Sequence, residues 1–287
     1  MKKQTFPHPK YNSLFIPDNI EETLALSRTT HLAIGAHQDD LEIFAYAAIE
    51  ECYENDALWF GGVTVTDGGG SARTGPYGQF SDEEMKAVRH QEQINAAEMG
   101  QYSFQIQLGA PSSTIKDKAQ AAQVVEQLTD ILLRTQPTDL YLHNPADKHD
   151  SHIALLLRSI EAIHKLPPAN RPKRIYGCEV WRDLDWVPDA FKIALPTNKH
   201  PGLARKLIDV FDSQISGGKN YTEATLGRRL ANATFYQSHQ TDSVDSLTFA
   251  IDLSPLIATP EIPITDLIQS LLSAFQKDVT QRIAAFD

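Results

Sequence analysis

The sequence predicts an α/β fold: a Rossmann-like, mostly parallel sheet flanked by helices on both faces. Three observations carry this. Short apolar runs of strand length alternate with longer stretches of helical spacing, the order expected of βαβ units. Two of those runs, Leu32 to Ala36 and Leu140 to Leu142, end in dense polar clusters and pass at once into helical patterns. And 287 residues suffice for one large α/β domain or two small ones.

The elements follow in order. Residues 1–18, with Pro7, Pro9 and Pro17, read as an irregular arm, and Asn19 to Ser27 as a short helix. Leu32 to Ala36 is the first core strand, and Leu41 to about Glu54 a long helix carrying Ile43, Phe44, Ala47, Ala48 and Ile49. Leu58 to Thr66 is rich in Val, Thr and aromatics, as a strand is. The stretch Asp67 to Gly78 is too glycine-rich to be regular and lacks the Gly-Lys-Ser/Thr of a phosphate loop. Ser81 and Glu84 form a capping-box pattern that opens a helix reaching Met99. On it, Arg89 and Glu92 have the spacing to pair on one face.

Phe104 to Leu108 reads as a strand, Lys118 to Arg134 as a helix, and Thr138 to His143 as a strand. Ile153, Leu156, Leu157 and Ile160 mark the next helix. Beyond the Pro167–Pro172 turn, Arg174 to Val180 and Phe191 to Leu195 read as strands and Leu203 to Gln214 as a helix. Gly217-Gly218 breaks the chain. After it come a helix over Leu226 to Tyr236, an edge strand over Thr248 to Leu253 and a terminal helix over Ile264 to Ala285. We expect one domain over 1–287, with its core at about 30–215 and residues 216–287 as an extension packed on that core.

Composition narrows the function. With 26 basic and 37 acidic side chains the net charge is −11, and the longest basic cluster is Arg171-Pro172-Lys173-Arg174. That argues against a nucleic-acid partner, which needs phosphate neutralisation, and against an anionic membrane. No apolar run is long enough to span a bilayer, and the first residues lack the apolar core of a signal peptide. The two cysteines, Cys52 and Cys178, have no C-x-x-C spacing and read as thiols of a cytoplasmic protein.

The polar clusters carry the chemistry. His37, Asp39 and Asp40 stand at the turn after the first strand, where open α/β sheets place ligands. His37 and Asp40 are three apart, so a tight turn brings both to one point. Imidazole plus carboxylate is a first-row metal ligand set. His149 and His152, again three apart, stand in a second strand-loop-helix unit and can supply the missing ligand. The rival reading of the first cluster is a solvated turn with Asp40 capping the next helix. Asp147 fits a ligand-supporting residue, an Asx-turn or a substrate contact. Glu42 fits an anchor of the first loop or a first-turn glutamate favoured by the helix dipole. His143 is near in sequence without ligand spacing. Arg73 and Tyr77 in the glycine-rich loop are candidate sugar contacts, or solvated loop residues. Trp181 offers a stacking face, or packing. No G-x-S-x-G elbow supports a serine hydrolase.

Ala36-His37-Gln38-Asp39-Asp40-Leu41-Glu42 resembles the A-H-P-D-D-x-E signature of the LmbE-like/PIG-L zinc-dependent N-deacetylases. Pro145-x-Asp147-x-His149-x-x-His152 resembles their P-x-D-x-H-x-D-H. The run Val88-Arg89-x-x-Glu92-x-x-x-Ala96-Ala97 is similar to their R-x-x-E-x-x-x-A helix, and Ser213-Gln214 to a Ser-Gln of the family. The resemblance covers about residues 30–215. It implies one Zn²⁺ per chain, with Fe²⁺ as the other candidate, held by His37, Asp40 and His152. It makes Asp39 the general base and a protonated His149 the stabiliser of the oxyanion or donor of the proton.

The same resemblance implies removal of an N-acetyl group from an N-acetylglucosamine-type sugar or conjugate. A metallo-amidase on a non-sugar amide and a non-catalytic metal-dependent sugar-binding protein are the alternatives. A homo-oligomer is compatible with the sequence. Two departures stand out: Gln38 replaces the usual proline, and Ser151 replaces the usual aspartate before the last histidine. Asp150, adjacent, is a candidate to support His152 in its place, or to cap the helix.

Overall fold

The computed structural model describes residues 12–287. Of the arm expected over 1–18, residues 1–11 and the N-terminal stretch weighed as a signal lie outside the described residues.

Eight strands form one sheet: β1 Ser13–Phe15, β2 His31–Gly35, β3 Phe60–Thr66, β4 Phe104–Ala110, β5 Asp139–His143, β6 Arg174–Cys178, β7 Ile193–Pro196 and β8 Leu247–Asp252. Their order is β1-β4-β3-β2-β5-β6-β8-β7. The central strands β4, β3, β2, β5 and β6 are parallel, while β1 pairs antiparallel with β4, and β8 antiparallel with both β6 and β7. From β2 the chain crosses outward through β3 to β4, and from β5 it crosses the other way to β6. The β2–β5 boundary is therefore the topological switch point, where departing connections leave a crevice at the carboxyl ends of the strands.

Side-chain alternation sorts the strands between two cores. Leu32, Ile34, Val63, Val65, Leu140 and Leu142 face a cluster with Leu128, Ile131, Leu132, Leu155 and Leu156. Ala33, Phe60 and Tyr141 face a second cluster with Leu41, Phe44, Ala97, Leu203 and Leu207. Both faces of the sheet are covered, which is why the central strands are buried along most of their length, polar residues such as Thr64, Gln105 and Gln107 included.

The structure redraws several expected elements. The long helix over Leu41 to Glu54 is two helices, Asp40–Phe44 and Tyr46–Cys52, broken at Ala45. The carbonyls of Glu42 and Ile43, which a continuous helix would use, instead accept N–H groups of the buried Arg229 at 2.9 Å each. The helix over Leu203 to Gln214 is likewise two, Pro201–Asp209 and Asp212–Ile215. Ser13–Phe15 is a strand where an irregular arm was expected. The strand near Thr248 to Leu253 is not an edge: β7 covers its outer side. The helix after Ser81 is as expected, Asp82–Met99, with both halves of the capping box formed. Among the described residues no helix is long and apolar enough to cross a membrane.

Candidate metal centre

The turn after β2 is built to present Asp40. Gly35 ends the strand, and a Cβ there would lie 2.9 Å from Leu41 Cδ2 and 3.0 Å from Asp40 Cβ. Only glycine lets the first turn of the Asp40–Phe44 helix seat so closely on the strand end. Asp40 folds back so that Oδ2 accepts the His37 N–H at 2.7 Å. Asp39 takes the left-handed conformation, φ 90°, a region that short polar side chains tolerate better than most. The side chain of Gln38 is buried and donates from Nε2 to Thr66 O at 3.1 Å and to Gln107 Oε1 at 3.2 Å. Hydrogen bonds to β3 and β4 thus hold the turn at the position where the resemblance has a proline.

Donor atoms of three residues converge at the switch point, with both Asp40 carboxylate oxygens taking part. His37 Nδ1 is 3.3 Å from Asp40 Oδ2 and 3.2 Å from His152 Nε2, and His152 Nε2 is 3.3 Å from Asp40 Oδ1. A tetrahedral ion ~2.0–2.1 Å from each ligand sets its ligands roughly 3.3–3.4 Å apart, so the spacing and the donor types fit a metal ion. His152 Nδ1 faces Asp147 Oδ2 at 3.2 Å. That contact keeps the proton on Nδ1 and leaves the Nε2 lone pair for a cation. The electrostatics ask for positive charge at this point. Burial opposes ionisation of Asp40, yet the His152 and His143 imidazoles hold it well below the ordinary carboxylate range. Burial pushes His152 down, and Asp40 and Asp147 overcome it, raising it to about 9.

Two further histidines approach. His143, at the end of β5, is fully buried and stacks on His152 with centroids 3.8 Å apart. Its Nε2 accepts the Ala36 N–H at 3.0 Å and lies 3.4 Å from Asp40 Oδ2. Asp40, His143 and His152 also bring donor atoms within 4.8 Å of one another, a second grouping that could hold an ion. Sequence spacing passed over His143; its place as the last residue of a strand at the switch point was the available signal.

His149 stacks on His152 at 4.7 Å, and its Nδ1 accepts the Ser151 N–H at 3.3 Å. Burial, then the neighbouring His152 and His37, push it down to about 4. It is therefore neutral at pH 7, not protonated as expected, and its proton sits on Nε2.

Asp39 is buried beside the cluster. Arg89 reaches from the Asp82–Met99 helix to within 3.4 Å of its Oδ2 and also donates to the Gln38 carbonyl. Burial raises Asp39, Arg89 pulls it back and Asp40 pushes it up again, to about 6. The expected Arg89–Glu92 pair is not formed. Glu92 instead accepts the Ser213 N–H and hydroxyl, each at 2.7 Å. Glu42 lies wholly buried under the turn, accepting from Gln93 at 2.8 Å and from the Tyr102 hydroxyl at 2.7 Å.

Asp147, besides facing His152, accepts the His149 N–H at 3.3 Å. Asp150 is exposed at the start of the Asp150–His164 helix and touches nothing in the cluster among the described residues. Asp147, not Asp150, supports His152.

A cavity of about 530 Å³ opens above the cluster, lined by His37, Asp39, Asp40, His149, the backbone of Gly68 and Gly70, and Trp181. Lys116, Lys148, Lys219, Ser112 and Gln214 give its wall a polar, cationic character. The Lys219 ammonium lies 5.3 Å from the Trp181 ring centre. Gly68, at φ 74°, lets the loop pass over Gln38 and Arg89, where a Cβ would meet Gln38 Oε1 at 2.6 Å. Arg73 and Tyr77 do not line this cavity. Arg73 donates to the carbonyls of Gly69 and Phe80 and pairs with Asp82, while Tyr77 donates to Asp212 at 2.6 Å. Here both anchor the loop, and neither lines the cavity. Tyr221 and Lys219, beyond Gly217-Gly218, carried no motif and were missed.

Among known proteins, residues 32–163 match the family model described as PIG-L, GlcNAc-PI de-N-acetylase. No curated protein matches. The fold is similar to that of the N,N'-diacetylchitobiose deacetylase from Pyrococcus horikoshii, with TM-score 0.62 at 19% identity over 83% of this chain and 88% of that one. It is also similar to the A40926 pseudoaglycone deacetylase Dbv21, with TM-score 0.58 at 17% identity over 79% of this chain and 97% of that one. A protein of a different activity, the 4-carboxy-2-hydroxymuconate hydratase GalB of Pseudomonas putida, shares the fold too, with TM-score 0.56 at 17% identity over 78% and 96% of the two chains. The two signature motifs and the crevice they occupy fall within the span, residues 32–163, that matches the PIG-L, or LmbE-like, family model.

Proposed function

We propose that the protein is a zinc-dependent hydrolase that removes an N-acetyl group from an N-acetylglucosamine-type sugar or conjugate. The observation that carries this reading is the convergence of His37 Nδ1, Asp40 and His152 Nε2 beside a cavity that His37, Asp40 and the Asp39 carboxylate line. The fold alone does not carry it, since a hydratase shares that fold. Named deacetylases among the similar structures, one of N,N'-diacetylchitobiose and one of the A40926 pseudoaglycone, support the reaction and a sugar-bearing substrate. The polar wall of the large cavity suits a polyol.

His37, Asp40 and His152 hold the ion, and Asp147 fixes the His152 tautomer. When bound, a divalent ion supplies Lewis acidity, polarising the amide carbonyl and acidifying water. Asp39, at about 6, is mostly ionised at pH 7 and accepts a proton from the attacking water. Arg89 and the left-handed turn aim its carboxylate. It then holds that proton within reach of the departing nitrogen. His149 donates a hydrogen bond from neutral Nε2 to the oxygen where negative charge develops. The two cysteines, both buried free thiols, suit the cytoplasmic reading, and β8, lying inside the sheet, supports a single domain.

The test pairs elemental analysis with amine release from N-acetylglucosamine conjugates, with and without chelator. About one zinc per chain with chelator-sensitive release is expected. Zinc without release from any N-acetyl sugar would move the reading to an amidase on another amide, or to a binding protein. Iron in place of zinc after preparation without added metal would reassign the ion and leave the residues' roles unchanged.

A further inference from the structure

An amide has two arms, and the fold offers two cavities that meet at the same carboxylates. Beside the polar cavity lies a smaller one of about 170 Å³, walled by Ile43, Val180, Trp181, Tyr221, Ala224 and Thr225. Asp39, Asp40, Trp181 and Tyr221 line both.

Most charged groups of the smaller cavity already have partners, although Arg229 Nε and Nη1 are buried without one. Glu179 accepts the N–H groups of Phe249 at 3.0 Å and Leu184 at 3.1 Å and the Thr248 hydroxyl at 3.1 Å. Arg228 donates to the Val180 carbonyl. Arg229 donates to the Glu42 and Ile43 carbonyls, and its remaining N–H groups are sealed from solvent. The rest of the wall is mainly apolar, Ile43, Val180, Trp181 and Ala224 with the ring of Tyr221, so an apolar arm suits it better than a polyol, which would trade water for few partners. In the larger cavity, the lysines, Ser112 and Gln214 offer a polar arm many partners.

We propose that the smaller cavity is an acyl-chain pocket, so that the site hydrolyses amides of acyl groups longer than acetyl. This rests on the reading of the centre as a deacylase. With the carbonyl over the metal ligands, the amine-bearing sugar takes the polar cavity and the acyl chain the apolar one. An acetyl methyl leaves most of 170 Å³ unfilled, and at the ~30 Å³ that a water takes in the liquid there is room for at least a four-carbon chain. The reaction is the same hydrolysis. The carbonyl carbon gains the oxygen of water, the C–N bond breaks, and both water protons end on the nitrogen. The amine leaves as an ammonium, the acid as a carboxylate with its chain in the pocket.

The test uses the zinc-loaded full chain with N-acetyl-, N-butanoyl- and N-hexanoylglucosamine. Up to the length the pocket holds, kcat/KM rises by up to about fourfold per methylene, the equivalent of ~0.8 kcal/mol of burial. Ala224→Phe, on a helix position that lines the pocket, lowers the hexanoyl-to-acetyl ratio of kcat/KM tenfold or more. Thr225→Leu moves it the same way if the first variant does not fold. Calorimetry adds a readout apart from turnover: hexanoate binds more tightly than acetate, and Ala224→Phe removes the difference.

Acetyl release with no butanoyl or hexanoyl release would overturn the proposal, as would an unchanged ratio in a folded variant. If no acyl group is released at all, the deacylase reading fails. Tighter hexanoate than acetate binding would then still support the apolar pocket, and equal binding would sink it.

Discussion

At the scale of single residues, Asp39 is the most exposed to test. Asn keeps its size and removes its capacity to accept a proton, so Asp39→Asn should bind zinc at one per chain while turnover falls about 10²–10⁴-fold. Undiminished turnover in that variant would remove Asp39 as the base. Glu42 offers a test in the folding equilibrium. Burial first raises its carboxyl from the ordinary 4.5 to about 7, against hydrogen bonds from Tyr102 and Gln93 that lower it. The native state therefore holds a proton that the unfolded chain releases between those values. Its stabilisation is full below about pH 4.5 and is lost as pH rises to about 7, at most on the order of 3 kcal/mol. Glu42→Gln, which keeps an N–H where the acid proton sits, should flatten the fall in stability across that window in urea melts. An unchanged slope would show that Glu42 ionises freely.

At the scale of elements, the strand-to-helix turn after β2 sets the site. Gly35→Ala puts a methyl 3.0 Å from Asp40 Cβ and 2.9 Å from Leu41 Cδ2. Leu41 can rotate; Asp40 moves only if its helix moves. The expected cost is about 1–3 kcal/mol of stability together with weaker zinc binding, read by melts and by competition with a chelating dye. Wild-type zinc affinity in a destabilised Gly35→Ala would mean that the helix absorbs the strain elsewhere. The same scale shows why element boundaries were harder to read than elements. The break at Ala45 depends on Arg229, and the break before Asp212 lies beside the Glu92–Ser213 contact. Both contacts join positions more than 100 residues apart, and no local periodicity carries them.

At the scale of the whole molecule, the ligands come from two halves of the sheet, after β2 and after β5, so an ion bound there links them. Ligand binding to the native state alone stabilises by about 2.7 kcal/mol at a hundredfold excess over Kd. For a chain of this size that is a rise of several degrees in Tm. Chelator should lower Tm by that amount and zinc should restore it, whereas His152→Ala should melt at the same temperature with or without zinc. A chelator-insensitive wild-type melt would count against a metal linking the two halves.

The sequence by itself determined the alternating sheet-and-helix order, the two polar clusters at strand ends and the three-residue spacings of His37 with Asp40 and of His149 with His152. Those are local facts: strand length, apolar spacing and three-residue separations within one turn. Tertiary structure decided the rest. It spent Arg73 and Tyr77 on the loop, turned Arg89 from Glu92 to Asp39, gave His143 a place against the cluster, put Asp147 rather than Asp150 behind His152 and made His149 neutral. It also brought Tyr221 and Ala224 from a distant helix to wall the smaller cavity. The physical reason is common to all of these. A side chain's partner, and with it its charge, is fixed by burial and by neighbours remote in the chain, and neither is written in the residues beside it.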